Sequence, residues 1–208
     1  MKDFKLFFII ILIFFDLPCA FGYTPKEGSV SGLVGPFLYK SDFTTSDTGA
    51  KSPTLGGFGL IVQGDVSDHS ALEISLFHMN KVYLREQTNR FIMEETQLIH
   101  IAMGYRYWFN PYFSTAAAIY SAYSMGEPKT THNDFSSISD IDTSARDTTE
   151  YGFDLSVESE LWSQNNISIV VDGRYAASVT NKPNEKGNHY GIFIAWKFLV
   201  QEKQYAKK

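Results

Sequence analysis

The sequence predicts an all-β fold, an eight-stranded antiparallel up-and-down transmembrane β-barrel, and three observations carry that prediction. Apolar and polar residues alternate with period two in segment after segment, which is the signature of strands. Turn-forming residues punctuate these segments at connections that alternate between short and long. Beyond the N-terminal apolar run no stretch of roughly 18 apolar residues occurs, so a helical membrane anchor is not expected.

The 208 residues suit one domain, and 44% hydrophobic content is enough to bury a core. A net charge of −5 argues against a nucleic-acid partner, which selects for a basic field. A single cysteine can form neither an internal disulfide nor, by itself, a metal site. Aromatic residues reach 15%, with 17 Phe and 12 Tyr, in a chain that is slightly hydrophilic on average. Interleaving of polar and apolar residues along strands accounts for that combination.

Residues 1–22 read as a secretory signal peptide: Lys2 and Lys5, then an apolar run from Leu6 to Phe15 ended by Asp16. That run is too short to span a bilayer, which takes roughly 20 residues. Ala20-Phe21-Gly22 places small residues where a signal peptidase reads, so cleavage is expected before Tyr23, and Cys19 leaves with the signal. A lipoprotein signal using Cys19 is the alternative, and Asp16, Leu17 and Pro18 fit it poorly.

Eight strands are expected over 29–40, 55–64, 71–83, 96–109, 112–124, 150–161, 167–180 and 188–199. In the fourth, Ile99, Ile101, Met103, Tyr105 and Tyr107 oppose His100, Ala102, Gly104 and Arg106. In the sixth, Phe153, Leu155 and Val157 oppose Asp154, Ser156 and Glu158. The links 65–70, Asn110-Pro111 and 162–166 are short; 41–54, 84–95, 125–149 and 181–187 are long. Pro36 falls inside the first strand, which is therefore expected to be bulged there or shorter.

Eight antiparallel strands close without free edges. A soluble barrel turns its apolar set inward; an outer-membrane barrel turns it toward lipid around a polar interior. Four features favour the second arrangement. The polar set carries balanced charge: Glu73, Asp154, Glu158, Glu160 and Asp172 against Lys81, Arg106, Arg174 and Lys197, with His100 and His189. Small residues share that set, as a narrow interior requires. Aromatics flank the strand ends at Tyr105, Tyr107, Trp108, Phe109, Tyr112, Trp162 and Tyr190, where interfacial girdles lie. Short turns alternate with long loops, and an even strand count returns both termini to one side. The lumenal charges are expected to pair into a plugging network; a looser arrangement would leave a narrow path for solutes.

The segment His189-Tyr190-Gly191-Ile192-Phe193-Ile194-Ala195-Trp196-Lys197-Phe198 resembles the C-terminal assembly signal of Gram-negative outer-membrane barrels. The matching positions are His189, Gly191, Ile194, Trp196 and Phe198. In layout the mature chain resembles the small outer-membrane β-barrel families, such as the OmpA transmembrane domain, OmpX and OmpW. The resemblance implies outer-membrane lipids and the barrel-assembly machinery as partners. It implies a structural or cell-surface interaction role, or, after the OmpW-like families, passage of small or hydrophobic molecules. One departure is the run Leu199 to Lys208 after the terminal Phe, read as a short periplasmic tail over 199–208.

No catalytic, cofactor or metal site is expected. A lipid A deacylase pairs a His with a Ser two residues on, and the residues two beyond each His here are Ala71, Asn80, Ala102, Asp134 and Gly191. Asp68-His69-Ser70 and the pair His132 and Asp134 sit where turns and loops are polar anyway. Asp140-Ile141-Asp142-Thr143-Ser144 lacks the glycine and distal Glu of a calcium loop. Loop 125–149, acidic and rich in Ser and Thr, is a solvated loop that could contact an extracellular ligand. A barrel enzyme and a soluble periplasmic ligand-binding barrel are the remaining alternatives.

Overall fold

Among the described residues ten strands form: β1 (Val30–Ser41), β2 (Leu55–Ser67), β3 (Ser70–Gln87), β4 (Arg90–Asn110), β5 (Phe113–Ser124), β6 (Lys129–Asn133), β7 (Glu150–Gln164), β8 (Ile167–Ser178), β9 (Glu185–Lys186) and β10 (His189–Gln201). The computed structural model describes residues 23–44, 46–135, 149–164, 166–180 and 185–201. The signal segment 1–22, most of loop 125–149 with Asp140–Ser144, and the end of the tail lie outside them.

Strands β1, β2, β3, β4, β5, β7, β8 and β10 are each antiparallel to the next, and β10 pairs with β1 to close the ring. One row of paired residues runs Lys40, Tyr190, Tyr175, Leu155, Ala117, Tyr105, Leu72, Gly64 and back to Val30. It returns to β1 ten residues (40 minus 30) from where it left, and that stagger tilts the strands by roughly 35–45° to the barrel axis.

The two faces are those of a membrane barrel. Leu60, Leu72, Ile74, Met103, Ile119, Phe153, Leu155, Ile192 and Trp196 are exposed on the outside, while Glu73, Lys81, Arg106, Asp154, Glu158, Asp172 and Arg174 are buried. Tyr107, Phe109, Tyr112, Phe113 and Trp162 ring the short-turn end, and Tyr123, Tyr151 and Tyr190 the other. Trp108 departs from this girdle: its parity with Arg106 turns it into the lumen, where it is 3% exposed.

The short turns are locally specified. Asn110 Oδ1 accepts the Tyr112 N–H at 2.9 Å, and Ser67 and Ser70 hydroxyls meet at 2.6 Å. At Pro36 the strand is uninterrupted. Val34 pairs with Trp196 and Phe37 with Phe193 in one register, and Pro36 stays paired to Phe58 of β2. Its missing N–H removes bonding toward β10 without shifting the ladder; the irregularity falls between Val30 and Ser31. The strand β10 also runs past Phe198 to Gln201, with Leu199 opposite Ser31, so the tail begins later than expected.

The segment 84–95 is not a loop. Strands β3 and β4 continue as a hairpin that turns at Thr88 and Asn89, with φ of 50° and 61°, the left-handed pair that tight hairpins use. Lys81 to Arg85 are all buried, because Phe43 and Ala50 cover the outer face against Val82 and Leu84. Burial on both faces erases the alternation from which the strand would have been read. Strand β6 adds to β4 beside this hairpin and β9 adds to β3. Together they form an ordered platform above the barrel.

Glu86 ties that platform together, eight residues beyond His78, where β3 last pairs with β2. It accepts bonds from Ser46, from the Thr48 hydroxyl at 2.6 Å, and from Lys186 Nζ at 2.7 Å. Burial alone would raise its carboxyl, but the Lys186 ammonium and the two hydroxyls hold it down at about 2. A folded value below the ordinary 4.5 means stability present above that pH and lost as pH falls through about 2. The amides of Asp47 and Thr48 donate to Glu86. Their hydrogen exchange, corrected for intrinsic rates, should therefore be protected at pH 5 and released near pH 2. Glu86→Gln should abolish that pH dependence, and equal protection at both pH values would contradict the assignment.

Candidate functional site: the lumen

Alternate residues of eight strands bring the lumenal side chains to the axis in layers. Arg106 from β4 holds the central one and is 0% exposed. Its Nε donates to Glu73 Oε2 at 2.6 Å, and its Nη2 to Asp172 Oδ2 at 2.7 Å and Ser156 Oγ at 3.0 Å. Its Nη1 donates to Ser114 Oγ at 2.9 Å and lies 3.3 Å from Glu158. Arg174 from β8 donates through Nη2 to Glu73 Oε1 at 2.6 Å and through Nε to Asp172 Oδ1 at 2.8 Å. Glu73 and Asp172 thus each bridge both guanidiniums, and the four side chains close a ring across the lumen. Such charges are tolerable without water only when paired and hydrogen-bonded, and here the fork of each Arg supplies the geometry.

Lys197 lies 3.3 Å from Glu158 on the short-turn side of this ring. Glu160 sits apart from it and accepts the Tyr23 N–H at 2.9 Å. Toward the other end His100 Nε2 lies 2.9 Å from Asp154, and Lys81 donates to Glu150 at 2.5 Å. His189 faces inward, with its ring 5.5 Å from that of His100. Gly191 also faces inward and leaves room for the Phe37 ring; Ile194, Trp196 and Phe198 face outward.

Several lumenal residues are absent from the sequence reading. Glu150 takes bonds from Lys81, Tyr83 and Tyr120, and Gln63 reaches both Glu73 and Glu158 at 3.3 Å. Asp65, read as a turn residue, is buried. The lumen also holds an aromatic layer. Phe77 lies 4.8 Å from Phe37 and 5.4 Å from Phe193, between ring centroids, with the Arg174 guanidinium 5.1 Å from its ring. A side chain at Gly59 would collide with Phe77 and Phe193, so glycine there makes space for the layer. The signal was present, since Phe37, Phe77 and Phe193 share parity with polar neighbours. Parity on three separate strands, however, does not show which side chains meet.

Of the other polar groups, His132 on the exposed β6 lies 2.8 Å from Asp134, which follows that strand; His69 is exposed in the β2–β3 turn, and Ser70 is buried.

No family model matches the chain, and no curated protein matches it. Solved structures do. The outer membrane protein OprG from Pseudomonas aeruginosa is similar at 10% identity over 85% of this chain and 99% of its own, with a TM-score of 0.52. Ail, the attachment invasion locus protein of Yersinia pestis, is similar at 13% identity, covering 83% and 99%, with a TM-score of 0.48. The outer membrane protein AlkL is similar at 9% identity, covering 92% and 99%, with a TM-score of 0.41. The likeness to OprG is one of fold, that of a small outer-membrane β-barrel.

Proposed function

We propose that this outer-membrane-type β-barrel works through its surface and not through its lumen. In this reading it is a structural barrel, closed to solutes, that holds a rigid platform outside a Gram-negative cell for contact with a partner. The observation that carries it is the ring of Glu73, Arg106, Asp172 and Arg174 across a fully buried lumen. The aromatic layer of Phe37, Phe77 and Phe193 packed beside the ring supports the same reading. A narrow pore for small or hydrophobic molecules would need a gap through both.

Orientation follows from how far the connections extend: the turns at 67–70, 110–113 and 164–167 stay close to the barrel and face the periplasm, and the platform and loop 125–149 face outward. Residues 1–22 direct export. Strand β10 is offered to the assembly machinery, with Ile194, Trp196 and Phe198 as its lipid-side residues. Contact with an extracellular ligand falls to the platform and to loop 125–149, since rigid scaffolds commonly carry function on such connections. Recording from the purified protein in planar lipid bilayers tests the closed lumen. We expect no discrete conductance steps; reproducible ohmic steps would replace this reading with the pore.

A further inference from the structure

The lumenal charges toward the short-turn end do not balance. Five buried carboxylates, Asp65, Glu73, Glu158, Glu160 and Asp172, face three buried cations, Arg106, Arg174 and Lys197. The guanidiniums serve Glu73 and Asp172, and Glu158 is shared between Arg106 and Lys197. Among the described residues no cation lies within ion-pair distance of Glu160. What reaches its carboxylate is the Tyr23 backbone nitrogen, at 2.9 Å, together with the Ser163 hydroxyl.

Tyr23 is held there from several sides. Its hydroxyl donates to Asp65 at 2.5 Å, and Lys197 Nζ lies 3.9 Å from its ring centroid. Its ring is 5.9 Å from that of Trp108. These partners stand on β2, β10 and β4, and Glu160 on β7, so the Tyr23 side chain sits near the barrel axis. The Lys26 N–H donates to the same Asp65 oxygen at 2.9 Å and Gly28 N–H to the Asp65 carbonyl at 2.8 Å, which pins the following residues across the mouth.

We propose that Tyr23 is the first residue of the mature chain, and that its freed ammonium is the counter-charge of Glu160, locking a plug into the periplasmic mouth. Ala20-Phe21-Gly22 supplies the small residues a signal peptidase requires at the preceding positions. Hydrolysis of the Gly22–Tyr23 bond consumes one water. It leaves a carboxylate on Gly22 and an amine on Tyr23 that carries the proton as ammonium, with no net proton released. A free α-amino group ionises near 7.7–8, and a neighbouring carboxylate favours the charged form further. Before cleavage the same nitrogen is a neutral amide that hydrogen-bonds Glu160 without compensating its charge. Processing would thereby complete the seal, whatever the platform binds.

The test uses protein purified from outer membranes. Its intact mass and N-terminal sequence should begin at Tyr23; a start at any other residue, or a lipid mass on Cys19, overturns the proposal. In micelles, an amine-reactive ester should modify the Tyr23 α-amine about tenfold more slowly in the folded protein than in urea, the size expected of one charge-assisted bond. Glu160→Gln should remove most of that protection while surface lysines react unchanged. Equal labelling of the α-amine in folded and unfolded protein would overturn the pairing. If Glu160→Gln does not fold, that native comparison still decides.

Discussion

Replacing Arg106 with methionine will destabilise the barrel by about 3–5 kcal/mol, the cost of stranding buried charges by removing one partner. Among the described residues Arg106 is the one side chain bound to Glu73, Asp172 and Glu158 together. Its loss leaves three buried carboxylates with only Arg174 and Lys197 to answer them. Methionine keeps most of the volume, so the loss measures charge and not a cavity. The check is guanidinium unfolding in micelles or vesicles, followed by tryptophan fluorescence. Adding Glu73→Gln should recover part of the loss by removing one stranded charge, a coupling that contacting residues show and distant ones do not. A cost below about 1 kcal/mol would mean that water reaches the network and the lumen is open.

Ile119→Arg will cost about 2–4 kcal/mol in a lipid bilayer, the penalty for arginine at the membrane midplane on a barrel's outer face. Ile119 is 63% exposed and lies midway along β5, so nothing in the protein itself resists the change. On a soluble barrel an exposed substitution of this kind would shift stability by less than about 0.5 kcal/mol. Thr130→Arg on the exposed β6 is the control and should be neutral. Equal small effects at both positions would place the apolar face in water.

Strand number, barrel closure and the inward set of charges were legible because period-two alternation survives wherever one face meets lipid and the other the lumen. Residues Leu155 to Glu158 illustrate it, each alternate one exposed and then buried. Legibility failed where that contrast fails. From Lys81 to Arg85 both faces are covered, so a hairpin read as a loop. Charge pairing was illegible for another reason: Glu73 and Arg174 meet across 101 residues of sequence, through registers set by turns and by the irregularities near Asp65, Trp108 and Glu160. Asp65 and Tyr23 were missed because their roles depend on a segment folding back across the mouth, which no local pattern encodes. The aromatic layer was missed because the lumenal parity of Phe37, Phe77 and Phe193 on three separate strands does not show which side chains meet across the barrel.

The inside-out arrangement of the barrel is tested most directly by its own tryptophans. Trp196 is 53% exposed on the outer face, and Trp108 is 3% exposed within the lumen. In single-tryptophan variants, with the remaining two replaced by Phe, reconstitution into vesicles of chain-brominated phospholipid should strongly quench Trp196. Trp108 should be quenched neither by bromolipid nor by aqueous iodide. Quenching of Trp196 by iodide and not by bromolipid, or of Trp108 by bromolipid, would contradict the account.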